Sequence, residues 1–489
     1  MNFKIIALSA LSALCCISCT EKNNETYDAD LNYTLLYIPE AQKVHVKLKY
    51  HPVQNDSTVL VYGNPMFGGQ IDIFDGFQNA VSSAEMKVDK DNHLIIVYHQ
   101  GDEAIELEYD IIDTQKEGPN VASEMFRPMI QQDYFFCHGM NLFLQPQVER
   151  EMTQSVRWQS LPNFPLLASF DPANRGDQVT IKTVEQSLMS IITGGKGFDI
   201  VEIPIGDTNN YLGFKPNGHP DVTTEKVKGY FETAYSAMCD FWQDPATRPF
   251  TLVIAPFQHT NHSMSGTALI DCFSSKYNPD TKILLTENNT HTLTHEIGHH
   301  WIGMKITLDE RHQWFGEGFN DYLTYWLNTS KGFRSEQGFE EEFNKLFENY
   351  FGSEIRDTPN DSILTHFWEG GDYTWLPYWR GTIFAFCLDG LISHQSDGKQ
   401  SLRDFMLTLK QKAEANGEGK PLSLETFIET LALFLPETEV NSLVHRHMID
   451  GQPLRLDKVP LIPGCKITYE NQLPHITITD PELFISHFK

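Results

Sequence analysis

Two periods of apolar positions divide the chain. From about residue 30 to 185 the pattern is strand-like. Val44, Val46, Leu48 and Tyr50 alternate with His45, Lys47 and Lys49, and Ile105, Leu107, Tyr109 and Ile111 alternate with Glu106, Glu108 and Asp110. Leu94–Tyr98 is a more continuous apolar run. Successive strand side chains point to opposite faces, so this alternation predicts half-buried antiparallel strands. Asn55-Asp56, Gly68-Gly69 and residues 89–92 supply turn residues between them. The pattern predicts a β-sandwich-like domain over 29–185 with no chemistry of its own.

Near 185 the period changes. Residues 198–205, 251–255, 267–273 and 282–286 read as strands. Val227, Tyr230, Phe231, Ala234, Tyr235, Met238, Phe241 and Trp242 recur at helical spacing and predict one long amphipathic helix. Asn288-Asn289-Thr290 is a good helix entrance. After residue 317 helical faces dominate to about 450. One is Ile383, Phe384, Cys387, Leu388, Leu391 and Ile392; others are Leu402, Phe405, Met406 and Leu409, and Phe427, Ile428 and Leu431, with Gly381 opening the first. A Pro-rich tail with short strands occupies 452–489, and no internal repeat is evident. The class expected is α+β.

The 489 residues carry 37 basic against 65 acidic side chains, a formal charge of −28. That field argues against nucleic acid and anionic headgroups as partners. Met1 to Lys4 is a short basic start, residues 5–17 are apolar or small, and a polar run follows Cys19. The apolar stretch is shorter than the ~20 residues that span a bilayer, so it reads as an export signal over 1–19. A small residue followed by cysteine at its end resembles a bacterial lipobox, with Cys19 as the lipid anchor, Cys16 as the other candidate, and an ordinary signal cut nearby as the alternative. A polar tether over 20–28 would follow. The expected location is the cell envelope, with the chain held to a lipid membrane. Cys137, Cys239, Cys272, Cys387 and Cys465 are widely spaced and form neither a disulfide framework nor a Cys-x-x-Cys pattern.

The chemistry concentrates in residues 295–322, HEIGHHWIGMKITLDERHQWFGEGFNDY. His295 and His299 stand one helical turn apart on one face, a spacing that lets two imidazoles bind one Zn²⁺. Glu296 lies beside them, facing the water such an ion binds. Glu317, in Gly-Glu-Gly, completes a set of two His and one Glu that leaves a fourth position open, the catalytic type of zinc site. Asp321, four residues on and on the same helical face, is placed to accept the other ring N–H of a ligand histidine. His259, His262, His291, His300 and His312 lie nearby in sequence, and most of them read as surface or packing residues.

Through HEIGH followed by WFGEGFNDY, the chain resembles the gluzincin zinc metallopeptidases, nearest the glycyl aminopeptidase family and more distantly the aminopeptidase N family. The resemblance covers about residues 250–460. It implies a thermolysin-like catalytic domain over 186–330, a helical domain over 331–451, one Zn²⁺ per chain and peptides as substrates. In related gluzincins a Tyr-x-Lys-Gly element supplies a tyrosine to the oxyanion. Tyr378-Trp379-Arg380-Gly381 resembles it, with Tyr373 as a competing tyrosine.

Three departures limit the match. The spacer from His300 to Gly316 is one residue shorter than is usual in the aminopeptidase N family. The tail is short for the glycyl family's C-terminal domain. The Gly-x-Met-Glu-Asn strand that binds a free α-amine is absent, the corresponding stretch being Ser265-Gly266-Thr267-Ala268-Leu269-Ile270-Asp271-Cys272. Asp271 is the candidate substitute for the amine. The function expected is removal of N-terminal residues from peptides. The alternatives are an endopeptidase or other hydrolase on the same site, or a non-catalytic surface-binding relic.

Overall fold

In the computed structural model residues 29–488 are described, apart from 53–55, 64–72, 115–126, 149, 160–163, 175–179, 258–263, 310, 368–369 and 418. Cys16 and Cys19, with the expected signal and lipid anchor, lie outside the described residues, as do His259 and His262. The fold is α+β, with a sheet-rich N-terminal part and a helical C-terminal part.

The alternating segments form sheets because each has one face to bury. In Lys43–Tyr50, Val44, Val46, Leu48 and Tyr50 are buried while Lys47 and Lys49 are exposed. A six-stranded sheet runs in the order Thr180–Thr183, Thr153–Trp158, Leu31–Ile38, Lys43–Tyr50, Ile105–Ile112, Phe77–Ser82. It is antiparallel except where Leu31–Ile38 lies parallel to Thr153–Trp158, a long-range pairing that alternation cannot reveal. Two four-stranded sheets accompany it, and Tyr33, Val46, Leu60, Ile95 and Phe143 lie in the shared core. Pairing of Ile191–Gly195 with Tyr134–His138 carries these sheets past residue 185.

The next sheet has five strands: β1 (Asp199–Ile205), β2 (Thr208–Phe214), β3 (Thr251–Pro256), β4 (Met264–Leu269) and β5 (Cys272–Tyr277). Their order is β1-β2-β3-β5-β4, with β2–β3 and β3–β5 parallel. The long amphipathic helix is present as α1 (Thr224–Trp242), with Phe231, Ala234 and Met238 buried against the sheet's core. Two expected strands differ. Residues 267–273 are not one strand but parts of the β4–β5 hairpin, where Asp271 reverses the chain at φ +51°. Aspartate tolerates that left-handed conformation better than most side chains. Residues 282–286 are irregular and lead into the helix α2 (Glu287–Gly298). Its cap is Thr286, earlier than the Asn288 entrance, and the Thr286 side chain accepts from the Asn289 N–H at 3.2 Å.

Beyond α2 come α3 (Asn320–Ser330), α4 (Glu336–Gly352) and α5 (Asp372–Gln395). α5 starts nine residues before Gly381, so Tyr378 lies within the helix rather than ahead of it. Pro377 sits in its second turn, where the missing N–H costs one backbone bond and leaves the helix continuous. The tail forms a hairpin, Cys465–Glu470 with Leu473–Ile478, held to α4 by two bonds between Asn344 and the Ile476 backbone. The five cysteines are free.

Glu317 sits in a short π-helical turn, Trp314–Phe319, that leads into α3. This turn packs backbone to backbone on α5: a Cβ on Gly318 would stand 2.4 Å from Gly381 Cα, and one on Gly381 would stand 2.0 Å from the Trp314 carbonyl oxygen. Neither neighbour is a flexible side-chain end. Gly318→Ala is therefore expected to destabilise the chain by about 1–3 kcal/mol through overpacking. Urea unfolding checks this; an unchanged midpoint would mean that the contact opens at no cost.

Candidate metal centre and catalytic site

The zinc-motif helix is anchored before it presents any ligand. Leu293 and Ile297 are fully buried on its inner face. The Thr294 hydroxyl donates to Asn328 Oδ1 on α3 at 2.7 Å and lies 2.6 Å from the Tyr230 hydroxyl of α1. At its C-terminal end, Asn320 Nδ2 donates to the His295 carbonyl at 2.7 Å. The Asn320 amide passes over Gly298, where a Cβ would meet its oxygen at 2.0 Å. Glycine in His-Glu-x-Gly-His is thus required for the segment bearing Glu317 to close on the helix.

On the outer face the expected ligands come together. His295 Nε2 lies 3.3 Å and His299 Nε2 3.5 Å from the same Glu317 oxygen, and the three donor atoms could hold one ion. The opposite ring nitrogens are committed. His299 Nδ1–H donates to the Ile302 carbonyl at 3.0 Å, and His295 Nδ1–H donates to Asp321 Oδ1 at 3.1 Å. A carboxylate or carbonyl only accepts, so each Nδ1 carries the proton and each Nε2 turns its lone pair toward Glu317. That donor set fits a divalent zinc-type cation.

Burial acts on all these groups and neighbours decide the outcome. It raises the carboxyl pKa of Glu317, but the His299 and His295 imidazoles outweigh it and hold Glu317 far below the usual range. Asp321 is likewise held low by His291 and His295. Glu296 is shifted the other way: burial raises its pKa, and Glu317 adds to the effect. The Tyr378 ring stacks 5.9 Å from that of His295, and burial with the Glu317 and Glu296 carboxylates lifts its hydroxyl pKa well above 10. Its neighbour Tyr373 packs on His366 instead, at 5.0 Å.

Arg380 does not join Tyr378. It is buried and donates to the Arg356 and Thr358 carbonyls at 2.8 Å each, fastening the segment before α5. Asp271 stands at the hairpin turn, 3.5 Å from Arg248 Nε and 3.6 Å from His300 Nδ1, and does not line the cavity beside His295. His300 packs on Phe250 and Trp301, and burial pushes its pKa down to about 3.

A cavity of about 490 Å³ opens beside the ligands. One wall is the α2 face from Asn288 to His295 and Glu296, about 12 Å long at 1.5 Å per residue. Lys345, Trp375, Tyr378 and Trp379 line it from α4 and α5, and Trp375 is 52% exposed. His291 also lines it. Besides packing on Tyr325, it donates through Nε2 to Asp321 Oδ1 at 2.7 Å. Its place four residues before His295, on the same helical face, was the available signal.

No family model matches the sequence. Solved structures do match the fold. An aminopeptidase N family protein from Idiomarina loihiensis aligns with a TM-score of 0.72 at 12% identity, over 90% of this chain and 79% of that one. An M1 zinc metallopeptidase from Deinococcus radiodurans aligns with a TM-score of 0.52 at 14% identity, over 88% and 95%. A mutant of that enzyme bound to a Tyr-Ser-Ala substrate aligns with a TM-score of 0.52 at 15% identity, over 88% and 94%. At these identities the likeness is one of fold: this chain is built as the M1 metallopeptidases are.

Proposed function

We propose that this chain is a zinc-dependent peptidase that removes N-terminal residues from peptides. The convergence of His295 Nε2, His299 Nε2 and one Glu317 oxygen, with Glu296 beside them, carries the reading. The zinc metallopeptidases that share the fold, one holding a peptide, support the choice of metal and substrate.

Zinc held there would supply Lewis acidity and make water nucleophilic near neutral pH. Glu296 accepts a proton from that water on its carboxylate and returns it to the leaving amine; a pKa raised by burial suits both steps. Tyr378 stays protonated and donates its O–H to the developing oxyanion. Asp321, held ionised, keeps the proton of His295 on Nδ1.

The endopeptidase reading also has an observation in its favour. A free α-amine calls for a carboxylate, yet β4 at the site carries Gly266, Thr267, Ala268 and the buried Leu269, and Asp271 faces Arg248. In the aminopeptidase reading the amine falls to a carboxylate of the cavity wall, such as Glu342. Export and tethering through lipidated Cys19 are part of the proposal and rest on the N-terminal pattern alone.

Glu296→Gln should keep its zinc and lose at least about 100-fold in kcat; normal turnover sinks the mechanism. Tyr378→Phe should lower kcat by about 10²–10³ with little change in KM, and an unchanged kcat removes Tyr378 from the reaction. N-acetylation of a peptide should abolish its cleavage if the amine is recognised, and continued cleavage favours the endopeptidase. Growth with an alkyne-tagged fatty acid should label the chain and not its Cys19→Ala form; a label retained by the variant moves the anchor to Cys16.

A further inference from the structure

The first histidine of α2, His291, has no part in the mechanism above, yet it is built into the same cluster. His291, His295 and His299 recur every four residues along one helical face. Asp321 Oδ1 accepts from two of them at once, from His291 Nε2–H at 2.7 Å and from His295 Nδ1–H at 3.1 Å. The shorter of the two is the bond to His291. Its ring is fixed on the other side by Tyr325, whose centroid lies 4.4 Å away. His291 Nδ1 is buried without a hydrogen-bond partner among the described residues. The ring is therefore held in one orientation, with its one N–H aimed at Asp321.

We propose that His291 is a positioning residue of the metal centre, whose Nε2–H pins the Asp321 carboxylate so that Asp321 in turn fixes the ring and tautomer of His295. The inference rests on the reading of His295, His299 and Glu317 as zinc ligands. Asp321 is a short side chain at the start of α3, and among the described residues its carboxylate accepts from these two histidines. Without the donor from His291, the carboxylate can rotate away from His295. The His295 ring then loses the partner that keeps Nε2 free for the metal. Partners that orient a ligand histidine typically influence metal affinity by about 10–100-fold.

Two substitutions separate the hydrogen bond from the packing. His291→Phe keeps a ring against Tyr325 and removes the N–H. His291→Gln loses the ring and keeps an amide N–H that reaches Asp321. The readouts are the zinc dissociation constant by competition with a chromophoric chelator, and the visible absorption spectrum of the cobalt-substituted protein. The Phe form should bind zinc about 10–100-fold more weakly, with a changed cobalt spectrum. The Gln form should stay within about threefold of the parent, with the parent's spectrum. The reverse order, Phe sound and Gln weak, assigns His291 to packing and overturns the proposal, as does equal affinity in all three. If the Phe form does not fold, His291→Asn replaces it, because its shorter amide falls short of Asp321; parent-like zinc affinity in that form also overturns the proposal. A parent protein that binds no zinc overturns the reading of the site itself, which is a distinct result.

Discussion

The site depends on two close approaches that only glycine admits, one to a side-chain amide and one to a neighbouring backbone. At Gly298 the end of α2 admits the Asn320 amide, which bonds the His295 carbonyl at 2.7 Å. At Gly318 the turn bearing Glu317 lies against Gly381 of α5, the helix bearing Tyr378. His295 and His299, then Glu317, then Tyr378 thus come from three segments locked face to face. Placement to within about half an ångström is what a metal or catalytic site requires, and packed helices deliver it better than loops. A methyl group at either glycine would push apart the elements whose spacing sets the distances among these side chains.

That packing puts Glu296, Glu317 and Asp321 into one half-buried cluster, and desolvation alone would raise all three carboxyls. The histidines divide them. Glu317 faces His299 and His295, Asp321 faces His291 and His295, and both are held ionised. Glu296 has less compensation and is pushed up. One environment so yields two fixed anions and one group suited to exchange a proton, which is how neighbouring carboxyls come to serve different roles. A histidine buried away from such carboxylates behaves differently: burial, with Lys276 nearby, pushes His138 down to about 3. The carboxylates, not the burial, keep His295 and His299 shifted upward.

The convergence of the candidate donors was legible because their spacing is local. His295, Glu296 and His299 share one helix, and Glu317 with Asp321 share the next turn and helix, so the 3.6-residue period reads their faces directly. The alternating strands and the α1 face were legible for the same reason. His291 obeys the same period but lies outside the five-residue motif. The parallel pairing of Leu31–Ile38 with Thr153–Trp158 was not legible, because no local pattern encodes a partner more than a hundred residues away. Nor was the start of α5, since Pro377 reads as a boundary although it removes only one bond near the helix start. Arg380 sits beside a tyrosine of the site in sequence, yet helical geometry turns it to the Arg356 and Thr358 carbonyls.

Asp271 marks where local reading stops serving the substrate side. In a strand over 267–273, a residue's face follows from counting by two, and a carboxylate there would have a defined direction. The left-handed turn at Asp271 ends that count and sends the chain back as β5. Its carboxylate then meets Arg248 and His300, while β4 passes the site with Leu269 buried. The candidate metal donors need only two adjacent elements in register, whereas the cavity wall draws on α2, α4 and α5 together. The cavity wall that Glu342, Lys345 and Trp375 line is therefore assembled from distant segments rather than from a strand motif.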